Sequence, residues 1–339
     1  MNKHKSIIVA GIFLTALILR LIGIGSREIF YDDAFSILLS ENSLSQIING
    51  TAADTMPPLY YFYLHFWENF GNSIVVLRLS SVLVSMAILV VSYDLIRRVF
   101  GWTAAVWGAL FLAVSPLQIY HAQELRMYTW LVLSQVSYFW FFYKLFYETE
   151  KTNHQQILWA GLILSGTGAM YSHNLAVFGL AAANLVLLIQ KRWKDLGKLC
   201  ILQLGIFLLS LPWLGQIPGQ IQKIQTAFWT PQPGIVELFQ AVIQTTAYLP
   251  LQGARFWIAA VLSVEILVIV IIETVRDAKN DFKIQFFVVM ALSAPVLLFI
   301  VSYMMRPIFV SRAFMISTVA YGGLVGRIVS LRWRNGQQV

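Results

Sequence analysis

The sequence is poor in charge and has almost no cysteine. Only 12% of its 339 residues are charged, whereas 58% are hydrophobic. An ordinary soluble domain carries about 25% charged residues, and a soluble globule cannot hide this much apolar surface. These proportions exclude a soluble enzyme, a disordered chain and a nucleic-acid-binding module. The single cysteine, Cys200, excludes an internal disulfide.

The sequence also lacks a glycine-rich phosphate loop, internal repeats and low-complexity tracts. Without a phosphate loop, direct ATP-driven chemistry is not expected. The net charge of +8 comes from short basic clusters between apolar runs rather than from one patch. This distribution is typical of a polytopic membrane protein, with membrane lipids and not nucleic acid as its surroundings.

The apolar runs predict an all-α, multi-pass membrane protein with about ten transmembrane helices. Each span needs about 20 mostly apolar residues, which leaves no room for a separate soluble domain in 1–339. The predicted spans are 6–24, 78–96, 103–120, 127–147, 157–172, 174–190, 199–215, 256–275, 284–304 and 313–331.

The basic residues predict the orientation of these spans. With both termini in the cytosol, sixteen of the 24 lysines and arginines fall inside and seven outside, while Arg20 lies within the first span. Cytosolic loops are enriched in basic residues, so the bias supports an even number of spans in a plasma (inner) membrane. Arg20 and the lack of a small-residue cleavage pattern argue against a cleaved signal peptide.

This topology gives two long outer loops, at 25–77 and 216–255. In the first loop, residues 34–48 predict an interfacial helix. The aromatic run 59–67 is too short to span and predicts an interfacial or re-entrant segment. Because charge near a membrane is costly, the acids and arginines of the outer side are the candidate functional residues.

The first candidates are Asp32 and Asp33, shortly after the first span. Adjacent carboxylates repel, so at least one needs a cation, a metal ion or a proton. They are candidates for a general base or for metal ligands at the outer face. The alternative is that one of them caps the helix that starts near Ala34.

A second group follows in the same loop, with Asp54 before Pro57-Pro58 and Tyr60-Tyr61 after them. The prolines prevent a helix upstream and define the start of the next one. Either Asp54 faces a site and the tyrosines line an acyl-chain groove, or the segment is a turn with an aromatic interface belt.

The third group lies between the third and fourth spans and includes His121, Glu124, Arg126 and Tyr128. Glu124 and Arg126 either bind each other or supply an outer site, where the arginine would hold a phosphate.

Further candidates are His173, in a short outer turn, and Arg306 and Arg312, which flank an apolar pentapeptide before the last span. The histidine is either a ligand or a hydrogen-bonded interface residue. The arginines either snorkel to lipid headgroups or face the same cavity as the acids.

Taken together, these motifs resemble those of the C-superfamily (GT-C) glycosyltransferases, specifically the bacterial relatives of dolichyl-phosphate-mannose protein mannosyltransferases and of the lipid A aminoarabinose transferase. The matching elements are the acidic pair 32–33, Asp-Thr-Met-Pro-Pro-Leu-Tyr-Tyr at 54–61, Arg-Leu at 78–79, Ser-Pro at 115–116, Gln-Glu-Leu-Arg-Met-Tyr at 123–128 and Arg-Ala at 312–313.

The sequence departs from the family pattern at three positions. Asp33 stands where Glu is usual, Met56 where His is usual and Ala313 where Tyr is usual. The first change keeps the charge, the second removes a candidate metal or phosphate ligand, and the third loses an aromatic contact. The chain also ends soon after its last span, whereas many relatives carry a further outer domain.

The resemblance implies transfer of a sugar from a polyprenyl-phosphate donor to a hydroxyl of a lipid, glycan or protein acceptor at the outer face, with inversion. It implies Asp32 as the general base, with Asp33 beside it, and a substrate site formed by Asp54, Tyr60, Tyr61, Glu124, Arg126, Tyr128, His173, Arg306 and Arg312. The resemblance leaves a divalent cation open as a cofactor, with Asp32, Asp54 and Glu124 as its ligands.

Other functions remain open from the residues alone. A transporter or flippase of a lipid-linked glycan would use similar aromatic belts and arginines, but it would often show inverted repeats and broken helices near mid-membrane. A non-catalytic membrane scaffold would not need acids concentrated on one side. A glycan polymerase or ligase would rely on large arginine-rich outer loops.

Overall fold

The structure is a computed structural model that describes residues 3–148, 155–227, 230–247, 250–278, 281–304 and 307–336. Over these ranges the chain is built of α-helices and two short 3-10 helices, with no strand. The all-α prediction is therefore confirmed.

The α-helices of the described residues are α1 (Lys3–Leu21), α2 (Tyr31–Ser40), α3 (Leu44–Ala53), α4 (Leu59–Trp67), α5 (Ile74–Phe100), α6 (Trp102–Val114), α7 (Pro116–Ala122), α8 (Tyr128–Tyr147), α9 (Gln155–Ser172), α10 (Ala176–Ile189), α11 (Trp193–Leu214), α12 (Ile217–Ala227), α13 (Ile235–Thr246), α14 (Gly253–Ala278), α15 (Phe282–Met304) and α16 (Ile316–Gly336). The 3-10 helices are Glu68–Phe70 and Ser311–Phe314.

Each of the ten predicted spans overlaps one of the longer helices. Among the described residues, five helices are long and apolar enough to cross a membrane unaided: α1, α5, α11, α14 and α15. The bent pair α6 and α7 is a sixth candidate. The structure thus confirms a multi-pass membrane protein, and the number of ten passes stays a prediction.

The third predicted span, 103–120, is not one straight helix. The chain breaks at Ser115, and α6 and α7 meet at an angle of 58°. Pro116 takes the first position of α7, where its missing N–H costs nothing. Pro116 cannot, however, donate to the carbonyl four residues earlier, so α6 ends with unpaired acceptors.

The arginine within the first span supplies the missing donors. Arg20 is 1% exposed and donates from its guanidinium to the carbonyls of Leu112 (3.3 Å) and Ala113 (3.1 Å). Its Nε also donates to Ser85 Oγ at 2.8 Å. This buried cation therefore links α1, α5 and the break after α6.

The first outer loop folds into three short helices rather than one interfacial helix over 34–48. The chain turns between α2 and α3, where Ser43 and Gln46 form a capping box at the start of α3. The aromatic run forms α4, whose nine residues are too short to span. The prediction of one continuous helix over 34–48 was wrong. That the loop lies at the membrane interface stays a prediction.

The bundle has an interior packed with aromatic side chains and an apolar exterior. Buried aromatic residues of α8, such as Tyr138, Phe139 and Phe142, pack against neighbouring helices. By contrast, α14 exposes Trp257 and Ile258 to 66% and 60%. Large exposed apolar side chains along a whole helix fit contact with lipid rather than with water.

Candidate active site

Asp32 lies between two arginines from distant parts of the chain. It sits in the first turn of α2, with 41% of its side chain exposed. Its Oδ2 atom is 3.9 Å from Arg126 Nε and 3.9 Å from Arg312 Nη1. Two cations thus flank one accessible carboxylate.

The neighbouring Asp33 is fully buried and is held by the protein. Its Oδ1 accepts the backbone N–H of Leu125 at 2.9 Å, and its Oδ2 is 3.4 Å from Arg78 Nη2. Burial raises the pKa of the Asp33 carboxyl, against the lowering effects of the Leu125 N–H and the Arg78 guanidinium. The two adjacent carboxylates therefore occupy very different surroundings.

The helix-cap alternative for this pair is not supported. The structure starts α2 at Tyr31 and gives it Phe30 as the N-cap, with no side-chain capping bond. Asp32 and Asp33 lie inside the first turn, where negative charge is still favoured by the helix dipole.

Arg78, near the start of α5, fixes the segment that leads into α2. It donates to the carbonyls of Ile24, Arg27 and Glu28, each at 2.9 Å, besides its contact with Asp33. Arg78 is fully buried. It therefore positions the acidic pair without lining a cavity, a role that only its place in the family motif pointed to.

Arg126 is 5% exposed and presents a free donor to the site. Its Nη1 donates to the Tyr61 hydroxyl at 3.2 Å, while its buried Nε makes no hydrogen bond in the described part of the protein. Although burial alone would lower the pKa of Arg126, the nearby Tyr61, Tyr128, Asp32 and Asp54 raise it. The guanidinium therefore stays charged.

Tyr60 and Tyr61, the tyrosines expected to line a lipid groove, are both fully buried. Their rings contact each other at 5.6 Å between centroids. Tyr61 reaches the site through its bond to Arg126. In this structure both pack inside the protein and neither lines a described cavity.

Glu124 pairs with His121 rather than with Arg126. The His121 Nδ1 and Glu124 Oε2 atoms are 2.5 Å apart. Although burial raises the pKa of the Glu124 carboxyl, His121 lowers it more together with Arg27 and Arg126, so the net shift is downward. Glu124 is therefore an anion near the site.

His173 is buried in the turn between α9 and α10 and faces the same arginines. Its Nδ1 accepts the N–H of Leu175 at 3.1 Å, which leaves the other ring nitrogen as a donor in the neutral form. Burial, followed by the charges of Arg312 and Arg126, lowers the pKa of His173 to about 3. The ring is neutral at physiological pH.

Asn174, next to this histidine, ties the first outer loop to later helices. Its Nδ2 donates to the Thr55 carbonyl at 2.7 Å and to Gln220 Oε1 at 2.9 Å, and its Oδ1 accepts from Trp213 Nε1 at 2.9 Å. This network holds the segment after Asp54 against α11 and α12.

These residues enclose a cavity of about 240 Å³, here called the arginine cavity. Five predicted site residues line it, although they are scattered along the chain: Asp32, Asp54, Arg126, His173 and Arg312. Met56 lines it as well. Tyr128 lies beside it, since the Arg312 guanidinium is 5.5 Å from the Tyr128 ring centroid. Arg306 lies outside the described residues.

A second cavity, of about 380 Å³, adjoins the first and is here called the α13 cavity. Val310 and Arg312 line both cavities. His121 and Glu124 form one wall of the α13 cavity, and α13 forms another through Glu237, Gln240 and Gln244.

These α13 residues were not among the predicted site residues. Their spacing of three and four residues is the available signal, because it places polar side chains on one face of an otherwise apolar helix.

The acids do not assemble into a metal centre. Within the described ranges no three His, Cys, Asp or Glu side chains come close enough to hold one ion. Asp32 and Asp54 line the arginine cavity, whereas Glu124 lines the α13 cavity and is engaged by His121. The donor set therefore does not fit the divalent cation considered from the sequence.

Comparison with known proteins points to one family. Residues 55–215 match the sequence model of the family described as dolichyl-phosphate-mannose-protein mannosyltransferase. No curated protein sequence matches the chain significantly.

The fold is similar to several solved membrane enzymes. ArnT from Cupriavidus metallidurans bound to undecaprenyl phosphate superposes with a TM-score of 0.71 at 14% identity, over 95% of this chain and 60% of ArnT. The same protein in the apo state superposes with a TM-score of 0.68 at 15% identity, over 96% of this chain and 59% of ArnT. The apo oligosaccharyltransferase from Archaeoglobus fulgidus superposes with a TM-score of 0.62 at 13% identity, over 99% of this chain and 52% of that enzyme.

At such identities the likeness shows the fold alone, and the chain spans about 60% of the length of ArnT. The sequence match over 55–215 and the ArnT-like fold over nearly the whole chain agree with each other. Over residues 55–215 the chain is thus similar in sequence to the dolichyl-phosphate-mannose-protein mannosyltransferase family, and over nearly its whole length its fold is similar to that of ArnT.

Proposed function

We propose that this protein is a membrane glycosyltransferase that moves a sugar from a polyprenyl-phosphate donor to an acceptor hydroxyl. The observation that carries the proposal is the accessible Asp32 carboxylate held 3.9 Å from both Arg126 and Arg312 in one cavity. The family match and a neighbour bound to undecaprenyl phosphate support the donor class.

The proposed chemistry needs a base for the acceptor hydroxyl and a cation for the leaving phosphate. The acceptor hydroxyl attacks this carbon and gives its proton to Asp32. The bond from the anomeric carbon to the phosphate oxygen breaks, and the polyprenyl phosphate leaves with the electron pair. A single displacement of this kind inverts the anomeric configuration.

The arginines stabilise the charge that develops on the leaving phosphate. The buried Nε–H of Arg126 has no hydrogen-bond partner among the residues that the structure describes and is a ready donor to a phosphate oxygen. Neutral His173 adds a donor without adding charge. Asp54, which also lines the cavity, orients the arginines or the sugar hydroxyls.

In this proposal Asp33 is not a second base but a positioning residue for Arg126. Its bond to the Leu125 N–H fixes the residue next to Arg126. The contacts of Asp33 therefore set the distance between Asp32 and Arg126.

The excess of basic residues in the other loops supports an outer-face position for this cavity in the plasma membrane, with both termini cytosolic. An outer site needs a donor that has already crossed the membrane and needs no nucleotide-binding loop. The broken pair α6 and α7 also lies at this end of the bundle, but the acid flanked by arginines favours catalysis over transport.

The test is sugar transfer by the purified full-length protein in lipid nanodiscs. The donors are undecaprenyl phosphates that carry labelled mannose, glucose, galactose or 4-amino-4-deoxyarabinose, and a membrane-lipid extract supplies the acceptor. Asp32→Asn should lower the transfer rate at least 100-fold. Glu28→Gln is the matched control, because Glu28 is an exposed acid of the same loop that lines neither cavity. Full transfer by Asp32→Asn would refute Asp32 as the base, and no transfer by the wild type from any of these donors would refute the proposed function.

A further inference from the structure

The two adjoining cavities differ in charge. The arginine cavity is lined by Arg126 and Arg312 together with Asp32 and Asp54. Among the described residues that line the α13 cavity, the charged or titratable side chains other than Tyr120 are Glu124, Glu237, Arg312 and His121. A phosphate dianion is stabilised by clustered arginines and repelled by carboxylates, so the α13 cavity does not suit an anion.

The polar groups of the α13 cavity suit hydroxyl groups instead. Carboxylates accept hydrogen bonds from hydroxyls, and glutamine amides both donate and accept. Gln240 and Gln244 bring two such amides from successive turns of α13, and Glu124 faces them from the loop after α7. Phe309 and Phe314 supply apolar faces on which the C–H side of a sugar ring can rest.

Two groups at this cavity lack partners in the described part of the protein. The Oε1 atom of Gln244 and the Oγ1 atom of Thr230 are both buried without a hydrogen bond. Thr230 is 8% exposed. Buried polar atoms are nearly always paired in folded proteins, and unpaired ones at a cavity wall mark a place for a ligand.

We infer that the α13 cavity is a carbohydrate subsite that binds an uncharged or amino-bearing monosaccharide ring through Gln240, Gln244, Glu124 and Thr230. Its volume of about 380 Å³ falls within the range of small-molecule pockets. This inference rests on the proposed function and adds to it: the phosphate belongs to the arginine cavity, the sugar ring to the α13 cavity, and Arg312 stands between them.

Direct binding tests the subsite without turnover. The full-length protein, in nanodiscs free of sugar-headed detergent, is titrated with methyl glycosides of mannose, glucose and galactose and with 4-amino-4-deoxyarabinose by saturation-transfer NMR. At least one ring should bind, and Gln244→Leu and Gln240→Leu should each weaken it about tenfold, since each removes hydrogen bonds at nearly constant volume. Gln216→Leu is the matched control, because Gln216 is exposed and lines neither cavity.

Kinetics show whether the ring belongs to the donor or to the acceptor. If the subsite holds the donor sugar, Gln244→Leu raises KM for the lipid donor; if it holds a glycan acceptor, KM for the acceptor rises instead. Either result supports the subsite.

The inference is overturned if none of the rings binds, or if binding by Gln244→Leu and Gln240→Leu equals that of the wild type. Its failure differs from failure of the proposed function. Sugar binding that persists in Asp32→Asn, with no transfer by the wild type from any donor, would refute only the transferase proposal.

Discussion

Replacing Asp33 should destabilise the folded protein strongly, whereas replacing its neighbour Asp32 should leave the stability almost unchanged. Asp33→Leu removes a fully buried carboxylate that accepts the Leu125 N–H at 2.9 Å and faces Arg78 at 3.4 Å. Leaving the N–H unpaired costs about 1–3 kcal/mol. Removing one partner of a buried ion pair costs about 3–5 kcal/mol.

The loss of stability in Asp33→Leu should lie near the lower end of the range obtained by adding these two costs. Arg78 keeps three carbonyl partners, so its charge is not left without hydrogen bonds. We expect the free energy of unfolding to fall by about 4 kcal/mol. Asp32→Asn, at an exposed position with charge partners at 3.9 Å, should change it by less than about 0.5 kcal/mol.

Unfolding of the purified protein in mixed micelles, titrated with sodium dodecyl sulfate, measures both values. Asp33→Asn is the intermediate case, since its amide oxygen can still accept the Leu125 N–H. Equal stability of Asp33→Leu and Asp32→Asn would refute the assignment of one aspartate to structure and the other to chemistry.

Three further predictions concern single contacts. Arg20→Met should lower the unfolding free energy by about 3 kcal/mol in the same titration, because the carbonyls freed by the break at Pro116 lose their donor; no loss would contradict this role. The pKa of His173 is about 3 in the folded protein and near 6.5 in the unfolded chain. The contribution of the neutral ring to the free energy of unfolding is therefore fully present above pH 6.5 and falls as the pH drops toward 3, by about 2 kcal/mol at pH 5. The stability of His173→Asn should depend less on acid than that of the wild type, and an unchanged dependence would contradict burial of the neutral ring. Trp213→Phe removes the donor to Asn174 Oδ1 and should cost about 1 kcal/mol, with KM rising more than kcat falls if the network only positions the cavity wall.

The sequence predicted the architecture well because membrane spans are long, apolar and separated by charged turns. Each predicted span overlaps a helix, and the acidic pair, Arg126 and Arg312 could be placed at one end of the bundle from topology alone. The break at Ser115–Pro116 was missed, because the apolar run continues through it and hydropathy does not register a single missing N–H.

Details of the site could not be predicted, since they depend on contacts between residues far apart in the chain. Nothing local distinguishes Asp32 from Asp33, and only packing against Arg78 and Leu125 separates their roles. The pairing of Glu124 with His121 rather than Arg126 also depends on the shape of the turn. The role of α13 follows from its packing against α7, which no sequence motif indicates.

Binding of undecaprenyl phosphate to the purified protein tests the central claim most directly. Native mass spectrometry or a competition assay measures its affinity for the wild type, Arg126→Met, Arg312→Gln and Asp32→Asn. Both arginine variants should bind at least tenfold more weakly, because each removes a cation from the phosphate. Asp32→Asn should bind as tightly as the wild type or more tightly, since it removes the carboxylate that competes for both arginines. Unchanged affinity in both arginine variants would contradict the account.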